Sequence, residues 1–86
     1  MFYFYVLQSL VDKELYFGYT SDLKRRFKEH KEGHVIATRR RQPMRLVYYE
    51  AYSDEKDART RELNIKRRAK AHIGLKRRIV NSLIIK

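Results

Sequence analysis

Phe2-Tyr-Phe-Tyr-Val-Leu-Gln8 and Glu14-Leu-Tyr-Phe-Gly-Tyr19, two short runs separated by five residues, decide the fold. Both are dense in aromatic and β-branched residues, which suit a pleated, half-buried surface, so each reads as a strand. The intervening Ser9-Leu-Val-Asp-Lys13 carries turn formers and little periodic pattern, and an antiparallel hairpin is the economical connection. At period two, Phe2, Phe4 and Val6 share one face of the first strand, and Tyr3, Tyr5 and Leu7 share the other.

Beyond the hairpin, Thr20 and Ser21 can cap a helix, and Asp22 adds negative charge to its first turn, where the helix dipole favours it. The spacing predicts a helix over 21–32. At 100° per residue Leu23, Phe27, Arg26 and His30 fall within about a quarter turn, while Lys24, Arg25, Lys28 and Glu29 lie outside it. Arg26 and His30 therefore sit on or beside the stripe that Leu23 and Phe27 press onto the sheet, unlike freely solvated charge. Gly33 ends the helix, and 34–45 reads as an irregular basic connection holding Arg39-Arg40-Arg41 and the only proline, Pro43. Leu46-Val-Tyr-Tyr-Glu50 reads as a third strand. Ser53 is expected to cap a second helix with Asp54, Glu55 and Asp57 in its first turn and an apolar stripe of Ala58, Ile65 and Ala69. Glu62 lies only about 40° from that stripe's centre. After Gly74, the four-residue recurrence of Leu75, Ile79 and Leu83 predicts a short third helix. The C-terminal Leu83-Ile-Ile-Lys86 can pack on the sheet or serve an oligomer contact. The order β-β-α-β-α-α predicts an α/β (α+β) fold in which a small three-stranded antiparallel sheet is flanked by helices.

Eighty-six residues, 43% apolar and 36% charged, describe a single domain spanning 1–86, too short for two cores. Without cysteine, neither disulfides nor a thiolate zinc site can staple it. The N-terminal residues lack the basic flank and cleavage site of a signal peptide, and no apolar run approaches the roughly 20 residues that span a bilayer. A cytoplasmic location and no membrane partner are expected, with monomer and homodimer both open. A net charge of +11 favours a polyanionic partner, nucleic acid first. Charge names a partner class and no chemistry.

The ordered residues resemble the GIY-YIG nuclease family, and specifically its short standalone members, over nearly the whole chain. Tyr3-Phe4-Tyr5 stands for the first motif, and Tyr16-Phe17-Gly18, eleven residues later from tyrosine to tyrosine, for the second. Tyr3 replaces a glycine, and Phe4 and Phe17 replace isoleucines, at packing positions. Tyr19-Thr-Ser-Asp-Leu-Lys-Arg-Arg26-Phe-Lys-Glu-His30 is similar to the block in which an arginine precedes a histidine by one turn. Thr38 to Tyr49 resembles the third strand and its approach, and Ala58-Arg-Thr-Arg-Glu62 the segment supplying a metal-binding glutamate. The family often carries a late asparagine, for which Asn64 and Asn81 are available and neither is assigned.

The resemblance implies a metal-dependent DNA endonuclease that hydrolyses phosphodiester bonds with low sequence specificity, in DNA repair or processing. It implies a catalytic set of Tyr5, Tyr16, Arg26, His30 and Glu62, with Glu62 ligating Mg²⁺ or Mn²⁺. The chemistry needs a deprotonated water, stabilisation of charge on the phosphorane and help for the departing oxygen. A hard cation on one carboxylate, completed by water and phosphate oxygens, suits the last two tasks. Arg26 offers a permanently charged fork for the scissile phosphate. One tyrosine would position or deprotonate the water and the other steady the phosphate. His30 would relay the proton or hydrogen-bond a tyrosine. Gly18 would let the backbone pass close to these groups. Arg39, Arg40, Arg41, Lys24 and Arg25 are the expected phosphate contacts, without base specificity.

Taken singly, each residue also has a plain reading: Tyr5 and Tyr16 as sheet aromatics, His30 as a packed histidine, Arg26 as a snorkelling cation, Glu62 as the partner of Arg59 or Lys66. His34 and His72 keep the plain reading. The ordered co-occurrence of the set favours the functional one. The alternative is a catalytically inactive nucleic-acid-binding module, and a third reading is a domain that docks basic helices on an acidic protein.

Overall fold

The computed structural model describes residues 1–84, so Ile85 and Lys86, part of the segment expected to pack on the sheet or join copies, lie outside them. Three strands, β1 (Phe2–Ser9), β2 (Leu15–Thr20) and β3 (Met44–Tyr52), form an antiparallel sheet in the order β2-β1-β3. The hairpin read from the first nineteen residues is present, and its first strand is the middle of the sheet. Helices α1 (Leu23–Lys31), α2 (Ile36–Arg39), α3 (Glu55–Arg67) and α4 (Ala69–Arg78) follow, closed by a 3₁₀ turn over Val80–Ser82. This is the expected α+β architecture, with one short helix added inside the basic connection.

The central strand is buried from Phe4 to Ser9 because both of its faces are covered. Phe4 and Val6 pack with Phe17, Ile65, Leu75 and Ile79 under α3 and α4. Tyr5 and Leu7 pack with Met44, against Leu23 and Phe27 of α1. The two faces thus follow the period-two reading, and full burial of a Phe, Leu or Ile contributes about 1.5–3 kcal/mol. Val47 is an extra residue in β3, between Tyr48 opposite Val6 and Leu46 opposite Leu7. This bulge lets Leu46 serve the α1 face while Val47 and Tyr48 serve the α3 face.

Several boundaries differ from expectation, each for a local reason. Asp22 caps α1: its backbone is extended and its carboxylate accepts from Arg25 N at 3.1 Å. Thr20 stays in β2 and accepts from Asp22 N instead. Likewise Asp54, not Ser53, caps α3 by accepting from Lys56 N at 2.8 Å. At both sites the backbone is extended at the carboxylate one residue further on, so the aspartate takes the cap in place of the hydroxyl. Arg68 breaks the long helical run with φ −118° and ψ 113°, so Ala69 opens α4 as an exposed residue and is no part of the α3 stripe. Gly74 lies inside α4 with open space where a side chain would go. At the C-terminus Leu83 joins the α3-face core, and Ile84 exchanges two hydrogen bonds with the buried Gln8 amide.

Candidate active site

The α1 face of the sheet gathers tyrosines because register places Tyr5 opposite Gly18 and the neighbouring Leu7 opposite Tyr16. Gly18 has a steric role. A Cβ there would lie 2.5 Å from the Tyr5 hydroxyl oxygen and 2.6 Å from the carbon bearing it, so the missing side chain is the space that the Tyr5 ring fills. The Tyr5 hydroxyl therefore reaches across β2, an edge strand. Tyr16 stands beside it, with ring centroids 6.4 Å apart.

His30 closes the pocket from α1. It is fully buried, edge-on to Tyr5 at 5.7 Å and to Tyr16 at 5.2 Å. Its Nε2 lies 2.9 Å from the Tyr5 hydroxyl and its Nδ1 2.7 Å from Oγ1 of the buried Thr38. Thr38 belongs to α2, the helical turn inside the connection expected to be irregular. Gln42, just beyond, donates its amide to the His30 carbonyl and accepts from Met44 N. Neither Thr38 nor Gln42 stands out in the sequence. The only signal for them is that a buried imidazole needs two partners, and nothing local says which residues supply them.

Arg26, one turn before His30, is half-buried, with its Nη1 donating to Glu29 at 3.0 Å. Burial opposes its charge, but hydrogen bonds to Glu29 and the Tyr5 hydroxyl outweigh that and hold the guanidinium above its ordinary range. Burial pushes the Tyr5 phenol up to about 12 despite the hydrogen bond from Arg26, with the Tyr16 and Glu62 charges adding to the rise. Burial and then the Arg26 charge push His30 down to about 4 against the opposing pull of Glu29. At neutral pH the pocket therefore holds a neutral imidazole, a protonated phenol and a fixed cation.

Glu62 reaches this group from the opposite layer. Ala58 and Ile65 seat α3 on the other face of the sheet, and Glu62 beside them is near enough to Tyr5 for its charge to act on the phenol. Its side chain is only 15% exposed, and Lys66 Nζ stands 3.2 Å from Oε2. The structure thus gathers Tyr5, Tyr16, Arg26 and His30 on the α1 side of the sheet, while Glu62 stands in the opposite layer and is linked to them by the action of its charge on Tyr5. Among the described residues no group of three His, Cys, Asp or Glu could hold a metal ion. The donor set fits a hard cation held by one protein carboxylate. Glu62 is largely shielded and already draws an ammonium, and Mg²⁺ accepts one carboxylate with water and phosphate oxygens completing its shell.

The expected phosphate contacts are more dispersed. Arg25 is engaged by Asp22 and Glu29, and Arg41 by Asp12 at 3.1 Å. Arg39 and Arg40 are exposed on and after α2, and Lys24 lines a groove with Tyr3, Phe27 and Tyr49. Asn64 is half-buried in α3 and Asn81 exposed in the 3₁₀ turn. No helix among the described residues is long and apolar enough to cross a membrane.

The family model of the GIY-YIG catalytic domain matches residues 1–78. A UPF0213 protein of Pediococcus pentosaceus is 38% identical over 71 residues, 81% of this chain and 74% of its own length. One from Streptococcus pyogenes is 45% identical over 67 residues, 77% and 72% of the two chains. The solution NMR structure of a UPF0213 protein from Bacillus halodurans superposes with a TM-score of 0.51 at 38% identity, covering 88% of this chain and 86% of that one.

Proposed function

The chain belongs to the family of the GIY-YIG catalytic domain, a nuclease family, and from that premise we propose that it is a divalent-metal-dependent endonuclease hydrolysing DNA phosphodiester bonds with little sequence preference. The observation that carries the reading is the Tyr5–His30–Thr38 chain of hydrogen bonds beside Arg26 and within the field of Glu62.

In this reading Arg26, a donor only, donates a hydrogen bond to the Tyr5 oxygen, so the phenolic proton points at His30 Nε2 and Nδ1–H donates to Thr38. The remaining Tyr5 lone pair accepts from the attacking water. As the water proton moves to Tyr5, the phenolic proton passes to His30, the hydroxide attacks phosphorus and the bond to the 3′ oxygen breaks, that oxygen taking a proton from solvent. A phosphate entering beside Arg26 offsets the positive field that depresses His30, making the imidazole a better acceptor at that moment. Tyr16 steadies the phosphate from the other side. Glu62 would hold the Mg²⁺ or Mn²⁺ ion, which when bound would supply charge stabilisation during the reaction. Arg39, Arg40 and Lys24, with Arg25 and Arg41 once released from their ion pairs, contribute positive charge toward the backbone.

The test is plasmid nicking with Mg²⁺ or Mn²⁺. Glu62→Ala and Arg26→Ala each lower the rate at least about a hundredfold, as expected for groups that stabilise transition-state charge, while DNA binding largely survives. Undiminished cleavage by both purified variants would sink the proposal, and binding without turnover under any metal would leave the inactive binding module.

A further inference from the structure

The positive charge is unevenly placed. Eight of the 21 basic residues and none of the ten acidic ones lie after Glu62, so +8 of the +11 belongs to the last 24 residues. Of the thirteen cations before Glu62, four stand in ion pairs, Arg25 and Arg26 with Glu29, Arg41 with Asp12 and Arg61 with Glu50, and Lys66 just beyond it pairs with Glu62 itself. Among the described residues, the Lys and Arg side chains from Arg67 to Arg78 are all exposed, and none makes a salt bridge.

Three exposed cations of α3 and α4 are placed by their neighbours. The Arg59 guanidinium lies 5.6 Å from the centre of the Tyr19 ring. Lys66 is held at Glu62, whose charge is felt by Tyr5, the residue opposite Gly18. Lys76 shares a cavity wall with Leu15 and Glu14 at the start of β2. Arg59 and Lys76 thus mark the two ends of β2, an edge strand among the described residues, and Lys66 stands two helical turns after Arg59 in α3. From Leu15 to Tyr19 a strand runs about 13 Å, a distance that faces roughly four successive phosphates of one DNA strand at 3.4 Å of axial rise each. Glu14 and Glu62 stand on the same flank, where the four Lys and Arg side chains of α4, with Arg59 and Lys66, outnumber them.

We propose that Arg59, Lys66 and Lys76 form a rail on which the phosphate backbone of nucleic acid lies along the β2 edge. The rail leads the strand past Tyr16 and Gly18 and supplies more of the binding than the Arg39–Arg40 turn. This rests on the nuclease reading for its partner, and it makes the two basic helices part of the substrate surface.

The experiment measures binding of a 20-base-pair DNA duplex in EDTA across a salt series, where no cleavage occurs. Arg59→Gln/Lys66→Gln/Lys76→Gln lowers the magnitude of the log K against log salt slope by two to three, at about 0.9 for each phosphate that is no longer neutralised. The conservative Arg59→Lys/Lys66→Arg/Lys76→Arg chain keeps the slope. Arg39→Gln/Arg40→Gln changes it by less than the rail variant, and unchanged circular dichroism melts exclude unfolding. A slope unmoved by the rail variant but reduced by the loop variant overturns the rail and leaves the nuclease reading intact. No binding by the unaltered chain at low salt overturns the rail outright. Metal-dependent nicking, measured separately, decides the nuclease reading on its own.

Discussion

Gly18 is the residue whose absence of atoms matters most. A methyl group there would sit well inside contact distance of a Tyr5 ring that is 2% exposed. Gly18→Ala is therefore expected to cost about 1–3 kcal/mol, an overpacking penalty read from urea melts. It should also abolish nicking, because the hydroxyl that must face the water is displaced; a stable variant with full activity would contradict the placement. The motif made Gly18 legible in the sequence, but not that its partner is the Tyr5 ring. His30 was legible as a residue beside the α1 stripe, yet its protonation state depends on burial and on Arg26. With its pKa lowered from 6.5 to about 4 on folding, it takes up a proton on unfolding. Its stabilising contribution is therefore complete above pH 6.5 and is lost as pH falls toward 4, amounting to at most about 3 kcal/mol. Thermal melts from pH 7 to 4 should show a steeper loss for the native chain than for His30→Gln, and parallel curves would mean that the imidazole is not held neutral.

Among the elements, α3 has the most exacting task, since it carries Glu62 around the sheet from the face opposite Tyr5. Its seating is set on one flank by Glu50 of β3, which accepts from Tyr48 at 2.7 Å, from Tyr52, and from Arg61 Nε at 3.1 Å. Burial alone would raise the Glu50 carboxyl, but these three donors hold it below its usual range, while burial and the bond to Glu50 push Tyr52 up to about 12. Arg61 precedes Glu62, so this cluster governs the rotation of the helix that carries Glu62, the carboxylate proposed to hold the metal. Glu50→Ala leaves three half-buried donors without their acceptor and is expected to destabilise the chain by about 1–3 kcal/mol in chemical denaturation. Mn²⁺ affinity should fall with it, and an unchanged affinity would show that α3 holds its rotation without Glu50. The strands and long helices were readable from periodicity. The capping residues shifted by one toward Asp22 and Asp54, because hydroxyl and carboxylate caps compete at adjacent positions and only the backbone path decides between them.

For the molecule as a whole, the +11 charge implies binding that weakens steeply with salt. With about four phosphates contacted, raising salt from 50 to 200 mM should weaken duplex binding on the order of a hundredfold, measured by fluorescence anisotropy. Salt-independent binding would exclude a backbone-tracking mode. Composition, hydrophobic period and motif order sufficed for the α+β architecture, the N-terminal hairpin and the family, and they named the five residues proposed for the site, since these readings depend on local patterns along the chain. The tertiary structure alone decided that the charge of Glu62 acts on Tyr5 from the opposite layer, that Thr38 and Gln42 hold His30, and that Arg25 and Arg41 are occupied by carboxylates. Each of those contacts joins side chains distant in sequence or competes among several possible partners. Which pair forms is settled by how two layers of helix close on three strands, a geometry that no local pattern encodes.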